Sequence, residues 1–379
     1  MRLACGLILI AWSSLPAAGS PPAGQVDRET LQALDAAQRS LRAAPDSEAN
    51  RLTLASLYLK IGQNHGAVDT LQGYLRTHPG ASKVLRLLSV AYLREEDYSA
   101  AKGAAERALR LGQRDSAGVQ VLAMAHLGLQ DTDSAERLFR EALKLDPNSV
   151  EANFQLGLLY TKQRKNLEEA IRRLEKARAL QPDLAGAYIA LGSAFLESGN
   201  ARQAADSLET AVKLTPDSAE PYYVLASAYR KLHEDGKAEA ALAAFQSRKQ
   251  AEADRRAREM RGRAYYEEGV NLLSNTDQLD KAYEALAKAV TELPAFDAAY
   301  YRMAQVSYLK GDLRNGLASV REALRLNPLE AEYYYVLARC LETADPRAAR
   351  EAVEKAAAIR PGVADFEELL RELKGKAAR

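Results

Sequence analysis

The sequence predicts an all-α solenoid of about nine stacked helical hairpins, closed at each end by a capping helix. Three observations carry this. Prolines recur at a near-constant interval: Pro45 to Pro79, Pro182 to Pro216 and Pro294 to Pro328 each span 34 residues, Pro147 to Pro182 spans 35 and Pro328 to Pro361 spans 33. Between Pro79 and Pro147, Gln113 takes the intervening slot. Within each interval the apolar residues form two helical stripes separated by a polar turn. Small residues return at the same register, where close-packed helices leave no room for larger side chains. A period of this length marks a stacked-repeat architecture, because a single hairpin cannot bury both of its apolar stripes.

The elements follow in order. Residues 1–19 read as an export signal: Arg2 is a short positive region, Leu3 to Leu15 is apolar, and Pro16-Ala17-Ala18-Gly19-Ser20 supplies small residues for cleavage after Gly19. The apolar stretch is shorter than the roughly 20 residues of a spanning helix, which favours cleavage over an uncleaved anchor. Cys5 does not read as a lipidation site, because Arg2 stands where an aliphatic residue is required and no apolar region precedes it. Cleavage would leave Cys340 alone, unable to close an internal disulfide.

Residues 20–47 are a linker and a capping helix, with Leu31, Leu34 and Leu41 on one face. The segment 116–149 illustrates the repeat that follows. Val119, Leu122, Ala123 and His126 form one helical stripe, Gln130 to Asp133 a polar turn, and Ala135, Phe139 and Ala142 a second stripe. Pro147 ends the unit, and Asn148-Ser149 offers a cap for the next helix.

The best-matched unit, 185–218, carries Tyr188, Leu191-Gly192, Phe195, Ala204, Leu208, Ala211 and Pro216. Unit 150–184 carries Asn153, Leu156-Gly157, Tyr160, Ala170, Leu174, Ala177 and Pro182, with one residue inserted at its internal turn. Units 48–81, 82–115, 219–250, 262–296, 297–330 and 331–363 keep the same register with fewer matches. These residues resemble the tetratricopeptide repeat, TPR, over 48–363. The resemblance implies a right-handed superhelix of helical hairpins whose concave groove binds extended peptides.

The array divides into a block of six repeats, 48–250, and a block of three, 262–363. In the connector, 251–261, the register slips, yet nothing from Gly236 to Gly262 breaks a helix, so one long helix is expected to run through. Its basic stretch, Arg248 to Arg263, reads as a solvated helix with i, i+4 pairs such as Glu252–Arg256 and Asp254–Arg258. Residues 364–379 form the second cap, with Phe366, Leu369, Leu370 and Leu373 on one stripe.

The composition excludes several function classes. With 52 basic and 51 acidic side chains the formal charge is +1, without the clustered positive surface of a nucleic-acid binder. His65, His78, His126 and His233 lie in different repeats without metal-ligand spacing, so no metal and no cofactor are expected. Ser99-Ala100-Ala101-Lys102 matches a catalytic S-x-x-K pattern, but Ser99 sits at a turn-to-helix junction and reads as a cap. Asp131-Thr132-Asp133 lacks the glycine and distant glutamate of a calcium loop. The repeats leave no segment long enough for a catalytic domain, so the chain is not expected to be an enzyme.

Tyrosine is the informative residue, with 18 in the chain. Tyr222-Tyr223, Tyr265-Tyr266, Tyr300-Tyr301 and Tyr333-Tyr334-Tyr335 each open a first helix. Tyr222, Tyr265, Tyr300 and Tyr334 fall on the packing stripe, and each following residue is rotated by about 100° out of it. The family resemblance places that next position in the groove, giving a ladder of Tyr223, Tyr266, Tyr301 and Tyr335, with Arg230, Arg302, Gln305, Tyr308 and Arg339 on the same face. Those rings either bind or pack against neighbouring repeats. The Lys and Asn clamp that chaperone-type members use for a C-terminal carboxylate is absent: its positions hold Leu52 and Ser56, Arg86 and Val90, and Phe154 and Leu158.

The expectation is therefore a non-enzymatic scaffold binding a protein or extended peptide. The balanced charge and the Ala-, Arg- and Leu-rich composition point to a bacterial envelope, periplasmic or secreted. The alternatives are a regulatory or assembly subunit of an envelope enzyme or of a polysaccharide-export or secretion complex, or a self-associating structural protein.

Overall fold

A computed structural model describes residues 28–360 and 362–377. The expected export signal, the Pro361 slot and the last two residues lie outside the described residues. The described chain is all-helical, with 19 α-helices, one short 3-10 turn at Thr276–Gln278 and no strand. It separates into two compact units, Arg28–Gln250 and the residues from Ala251 onward.

The first unit opens with α1, Arg28–Ala43, whose Leu34 is buried against the neighbouring hairpin. Five hairpins follow: α2 (Glu48–Lys60) with α3 (Asn64–Leu75), α4 (Ser82–Arg94) with α5 (Tyr98–Leu111), α6 (Ser116–Gly128) with α7 (Thr132–Leu145), α8 (Val150–Gln163) with α9 (Leu167–Leu180), and α10 (Ala185–Glu197) with α11 (Ala201–Leu214). Helix α12, Glu220–Lys231, leads to α13, Asp235–Leu272, one uninterrupted helix of 38 residues. The second unit continues through α14 (Leu279–Glu292), α15 (Asp297–Leu309), α16 (Leu313–Leu326), α17 (Ala331–Leu341), α18 (Pro346–Ile359) and α19 (Ala364–Ala377). Phe366, Leu369 and Leu373 of α19 are buried, forming the stripe expected of a cap.

Local chemistry sets these boundaries. Side chains of Ser47, Asp97, Asp115, Asp131, Ser149, Asp312 and Asp345 each accept a backbone N–H at the start of their helices, satisfying one of the donors a helix leaves open. Two sequence expectations are corrected here. Asp97 caps α5, 3.0 Å from the Ala100 N–H, and Ser99 lies inside that helix. Of the Tyr333-Tyr334-Tyr335 run, Tyr333 is the most deeply buried and Tyr334 is half-buried.

The turn inside seven of the hairpins, all but α13–α14 and α17–α18, contains a left-handed residue. Gly62, Gly199 and Gly311 take φ of 78°, 85° and 75° there, without steric cost. Glu96, Gln130 and His233 take the same conformation with a side chain, and the surrounding hairpin must hold them in it. The residue inserted in 150–184 is absorbed at this turn, where both Arg164 and Asn166 are left-handed.

Packing depends on the small residues. Ala55, Ser89, Ala123, Gly157, Gly192, Ala226, Gly269, Ala304 and Ala338 occupy one register on first helices and are buried. A Cβ added at Gly192 would sit 2.4 Å from Leu208 Cγ, and one at Gly157 would sit 2.6 Å from Leu174 Cγ. The two helices of a hairpin therefore approach to the limit that backbone and leucine allow.

The basic stretch of α13 is solvated, and several of its arginines are already balanced. Arg256 pairs with Glu252 at 2.6 Å, Arg263 with Glu259 at 2.8 Å, and Arg261 with Glu292 at 2.9 Å. Met260 is 73% exposed. No helix among the described residues is long and apolar enough to cross a membrane.

Candidate functional site

The tyrosine pairs divide as helical rotation demands, and their partners define the surface. Three first members are half-buried and covered by a cation from a second helix: Arg248 lies 4.1 Å from the ring centre of Tyr222, Lys288 lies 5.7 Å from Tyr265, and Lys355 lies 5.5 Å from Tyr334. Tyr300 is also half-buried, and burial pushes its phenol pKa up.

The second members of the pairs do not stand free. Tyr223 meets Phe245 at a ring separation of 5.2 Å, Tyr266 meets Phe296 at 4.8 Å, Tyr301 meets Tyr333 at 4.8 Å and Tyr335 meets Phe366 at 5.3 Å. These are ordinary aromatic packing distances. Each ladder tyrosine thus packs one part of its ring within the fold. Tyr223, in the first unit, remains 57% exposed, whereas Tyr266, Tyr301 and Tyr335, in the second unit, are half-buried. Arg230 is exposed on α12, in the first unit with Tyr223.

In the second unit, helices α15 and α17 touch and bring together most of the expected residues. The Nη1 of Arg302 donates to Gln305 Oε1 at 2.8 Å, and Gln305 Nε2 donates to the Tyr301 hydroxyl at 2.8 Å. The guanidinium of Arg302 also lies over the Tyr301 ring, 5.3 Å from its centre. Alongside, Arg339 lies 5.5 Å from the centre of the Tyr308 ring and pairs with Glu342 at 3.4 Å. Burial raises the phenol pKa of both Tyr301 and Tyr335, keeping these hydroxyls protonated and able to donate.

Tyr333 is a residue that sequence reasoning missed. It is 6% exposed, and its hydroxyl donates to Asp297 Oδ2 at 3.0 Å, tying α17 to the start of α15. Burial, then the Asp297 charge, drives its phenol pKa far upward. Replacing Tyr333 by phenylalanine should keep the stack on Tyr301 and cost about 1–2 kcal/mol through the lost bond to Asp297. The check is chemical denaturation beside Tyr333→Ala, which loses ring and bond together and should cost about 3–5 kcal/mol.

The remaining candidates are structural. His126 Nδ1 lies 2.9 Å from Asp131 Oδ2, at the end of the α6–α7 hairpin turn. Cys340 is buried in the second unit, and burial pushes its thiol up to about 11, far from a reactive thiolate. A cavity of about 280 Å³ is lined by Arg140, Leu143, Lys144, Leu156, Tyr160, Glu169 and Arg173. Its arginines and phenol are matched internally: Arg140 donates to the Tyr160 hydroxyl at 2.9 Å, and Arg173 donates to Glu169 at 2.6 Å. No cluster of three or more His, Cys, Asp or Glu side chains able to hold a metal ion occurs among the described residues.

No curated protein matches the chain significantly. Among solved structures, YrrB, described as a TPR protein with an unusual peptide-binding site, is 22% identical, covering 50% of this chain and 97% of its own, with a TM-score of 0.40. MamA from Desulfovibrio magneticus RS-1 is 22% identical over 45% of this chain and 96% of its own, with a TM-score of 0.42. The C-terminal part of a TPR repeat-containing protein from Cytophaga hutchinsonii is 15% identical over 75% of this chain and 98% of its own, with a TM-score of 0.42. Residues 84–344 match the family model described as the second ARM domain of tetratricopeptide repeat protein 21. That match spans more than half of the sequence, and the chain belongs to this family of tetratricopeptide-type helical repeats.

Proposed function

We propose that the chain is a non-enzymatic, exported scaffold of the bacterial envelope that holds another protein, or an extended peptide, on the tyrosine-bearing face of its second unit. The observation that carries this reading is the cluster on α15 and α17. Tyr301, Arg302, Gln305, Tyr308, Tyr335 and Arg339 are all half-buried there, ordered by one another rather than swinging free in solvent. Tyrosine and arginine dominate protein interfaces because they offer large contact area and a polar tip, and rings already held in place lose little further entropy on binding. Balanced overall charge favours a protein partner over nucleic acid.

Tyr308 and Arg339 test the reading best, because neither takes part in the aromatic stacks of Tyr301 and Tyr335. Tyr308→Ala and Arg339→Ala are each expected to weaken capture of a partner from envelope extract, by about 2 kcal/mol at a true hot spot. Helicity measured by circular dichroism should be unchanged. Capture at full strength by both variants rules out this face. The location is tested separately, by N-terminal sequencing of the protein recovered from a periplasmic fraction. A start at Ser20 supports export with cleavage, and recovery with the cytoplasmic fraction refutes it.

A further inference from the structure

We infer that the stretch of α13 from Ala251 to Ala264 is a self-association surface, packing antiparallel against the same stretch of a second copy of the chain. This surface is distinct from the tyrosine-bearing face of α15 and α17.

One side of the stretch is already occupied. A Cβ on Gly262 would lie 2.5 Å from Leu293 Cγ, and Arg261 reaches Glu292 at 2.9 Å, so the end of α14 covers that side. At about 100° per residue, Ala253, Met260 and Ala264 project within about 20° of the opposite direction. All three are exposed, Met260 by 73%. Ala264 holds the register at which Val84, Ala152, Ala187 and Ala299 are fully buried, yet here it is left open. The helix thus turns outward an apolar face whose alanines let a second helix come close.

The flanking charges identify the occupant. Set against its own reverse, with a two-fold axis between Ala257 and Arg258, the stretch pairs Glu252 with Arg263, Asp254 with Arg261 and Arg256 with Glu259. Every acid in the stretch meets an arginine, and each pair forms twice, because a two-fold contact is isologous. Arg255 and Arg258 fall opposite Met260 and Ala257, so no like charges are opposed. Sliding the pairing by one residue sets Arg256 against Arg258 in one direction and Arg255 against Arg261 in the other. A parallel pair would set every charge against itself. Helical rotation agrees with the antiparallel match. Glu252, Arg256, Glu259 and Arg263 lie along one flank of the apolar face, Asp254 and Arg261 lie along the other, and the two-fold brings like flank to like flank. Within one chain Arg256 already pairs with Glu252 at 2.6 Å and Arg263 with Glu259 at 2.8 Å. Exposed pairs of this kind are worth little and can share their charge with a second helix. The charges fix register and direction, while the apolar face supplies the contact area.

Sedimentation equilibrium of the full chain should show monomer and dimer in exchange. Arg263→Glu sets a glutamate against Glu252 twice per dimer and should weaken association by about tenfold, equal to about 1.4 kcal/mol. Adding Glu252→Arg should restore association to within about threefold of wild type. In that double variant the pairs within one helix, 252 with 256 and 259 with 263, both remain like-charged. Recovery can therefore come only from residue 252 of one copy meeting residue 263 of the other. Direction is read by disulfide trapping in a Cys5→Ala background, with Cys340 buried. Ala257→Cys, beside the axis, should cross-link two copies on mild oxidation, and Ala253→Cys, far from it, should not. A chain that stays monomeric overturns the inference, as does association that Arg263→Glu leaves intact or that the double variant fails to restore. Cross-linking at Ala253→Cys as efficient as at Ala257→Cys also overturns it, since that is the mark of a parallel pair.

Discussion

Gly192→Ala is expected to destabilise the first unit by about 1–3 kcal/mol, although alanine is the better helix former by nearly 1 kcal/mol. Helix propensity and packing oppose each other here, and packing wins. The new Cβ would fall 2.4 Å from Leu208 Cγ and 2.7 and 2.8 Å from its two methyl carbons. Leu208 is fully buried in the α10–α11 hairpin, so its side chain cannot retreat into solvent. Leu208→Ala removes the obstruction but opens a cavity, and should cost about 2–5 kcal/mol. The double variant should cost clearly less than the two single changes added together, because alanine at 192 would occupy space that Leu208 vacates. Urea unfolding of the four proteins gives the coupling directly. Strict additivity would show that the two residues do not share one packing site. Hydrogen exchange in α10 and α11 should locate the loss, since a stacked array transmits a defect mainly to its neighbours.

That pairing also shows why so much of the fold can be read before any coordinates. The register that places Gly192 against Leu208 is repeated at Gly157 against Leu174 and at Gly269 against Leu286, so one physical constraint is written three times. The turn residues repeat in the same way. Other features depend on residues about 30 positions away, and periodicity does not reveal them. Helical rotation turns Tyr301 and Tyr335 out of the packing stripe, but it does not say that Tyr333 and Phe366 arrive to cover them. Tyr333 belongs to neither expected stripe, and its burial follows from contacts distant in sequence, the stack on Tyr301 and the bond to Asp297. Gly316 stands where Ala67, Ala101, Ala135, Ala170, Ala204 and Ala282 stand in other hairpins, because a Cβ there would lie 3.1 Å from Cys340 Sγ. The α5 cap falls to Asp97 rather than Ser99 because the helix begins two residues earlier than a cap at Ser99 would allow. The candidate site is legible in the same partial way. Composition and spacing nominate Tyr301, Arg302 and Gln305, whereas the direction of their hydrogen bonds requires the side chains themselves.

Glu151→Gln is expected to stabilise the protein at pH 8 and leave it nearly unchanged at pH 4. Glu151 sits in the first turn of α8, and its carboxyl accepts from Gln155 Nε2 at 2.8 Å. Burial raises its pKa from 4.5 to about 7, and the Gln155 hydrogen bond offsets only part of that. The sign is opposite to that of an ion-paired carboxylate. Below the unfolded value both states are protonated and the group contributes nothing. As pH rises toward 7, the unfolded chain ionises while the folded chain resists, and stability falls. Above the folded value both states are ionised, and the full penalty of a desolvated charge remains. Allowing for partial solvent access, that penalty is on the order of 2–3 kcal/mol. A glutamine at 151 keeps a polar contact with Gln155, itself 1% exposed, without carrying the charge. Glu220 and Glu330 are also raised by burial, so wild-type stability alone cannot isolate Glu151. The difference between wild type and Glu151→Gln, followed by urea midpoints from pH 4 to pH 8, does isolate it. A gap that opens between about pH 5 and pH 7 and then levels off matches a buried carboxyl. A constant gap would mean that the group titrates as it does in the unfolded chain, and that the first turn of α8 leaves it in water.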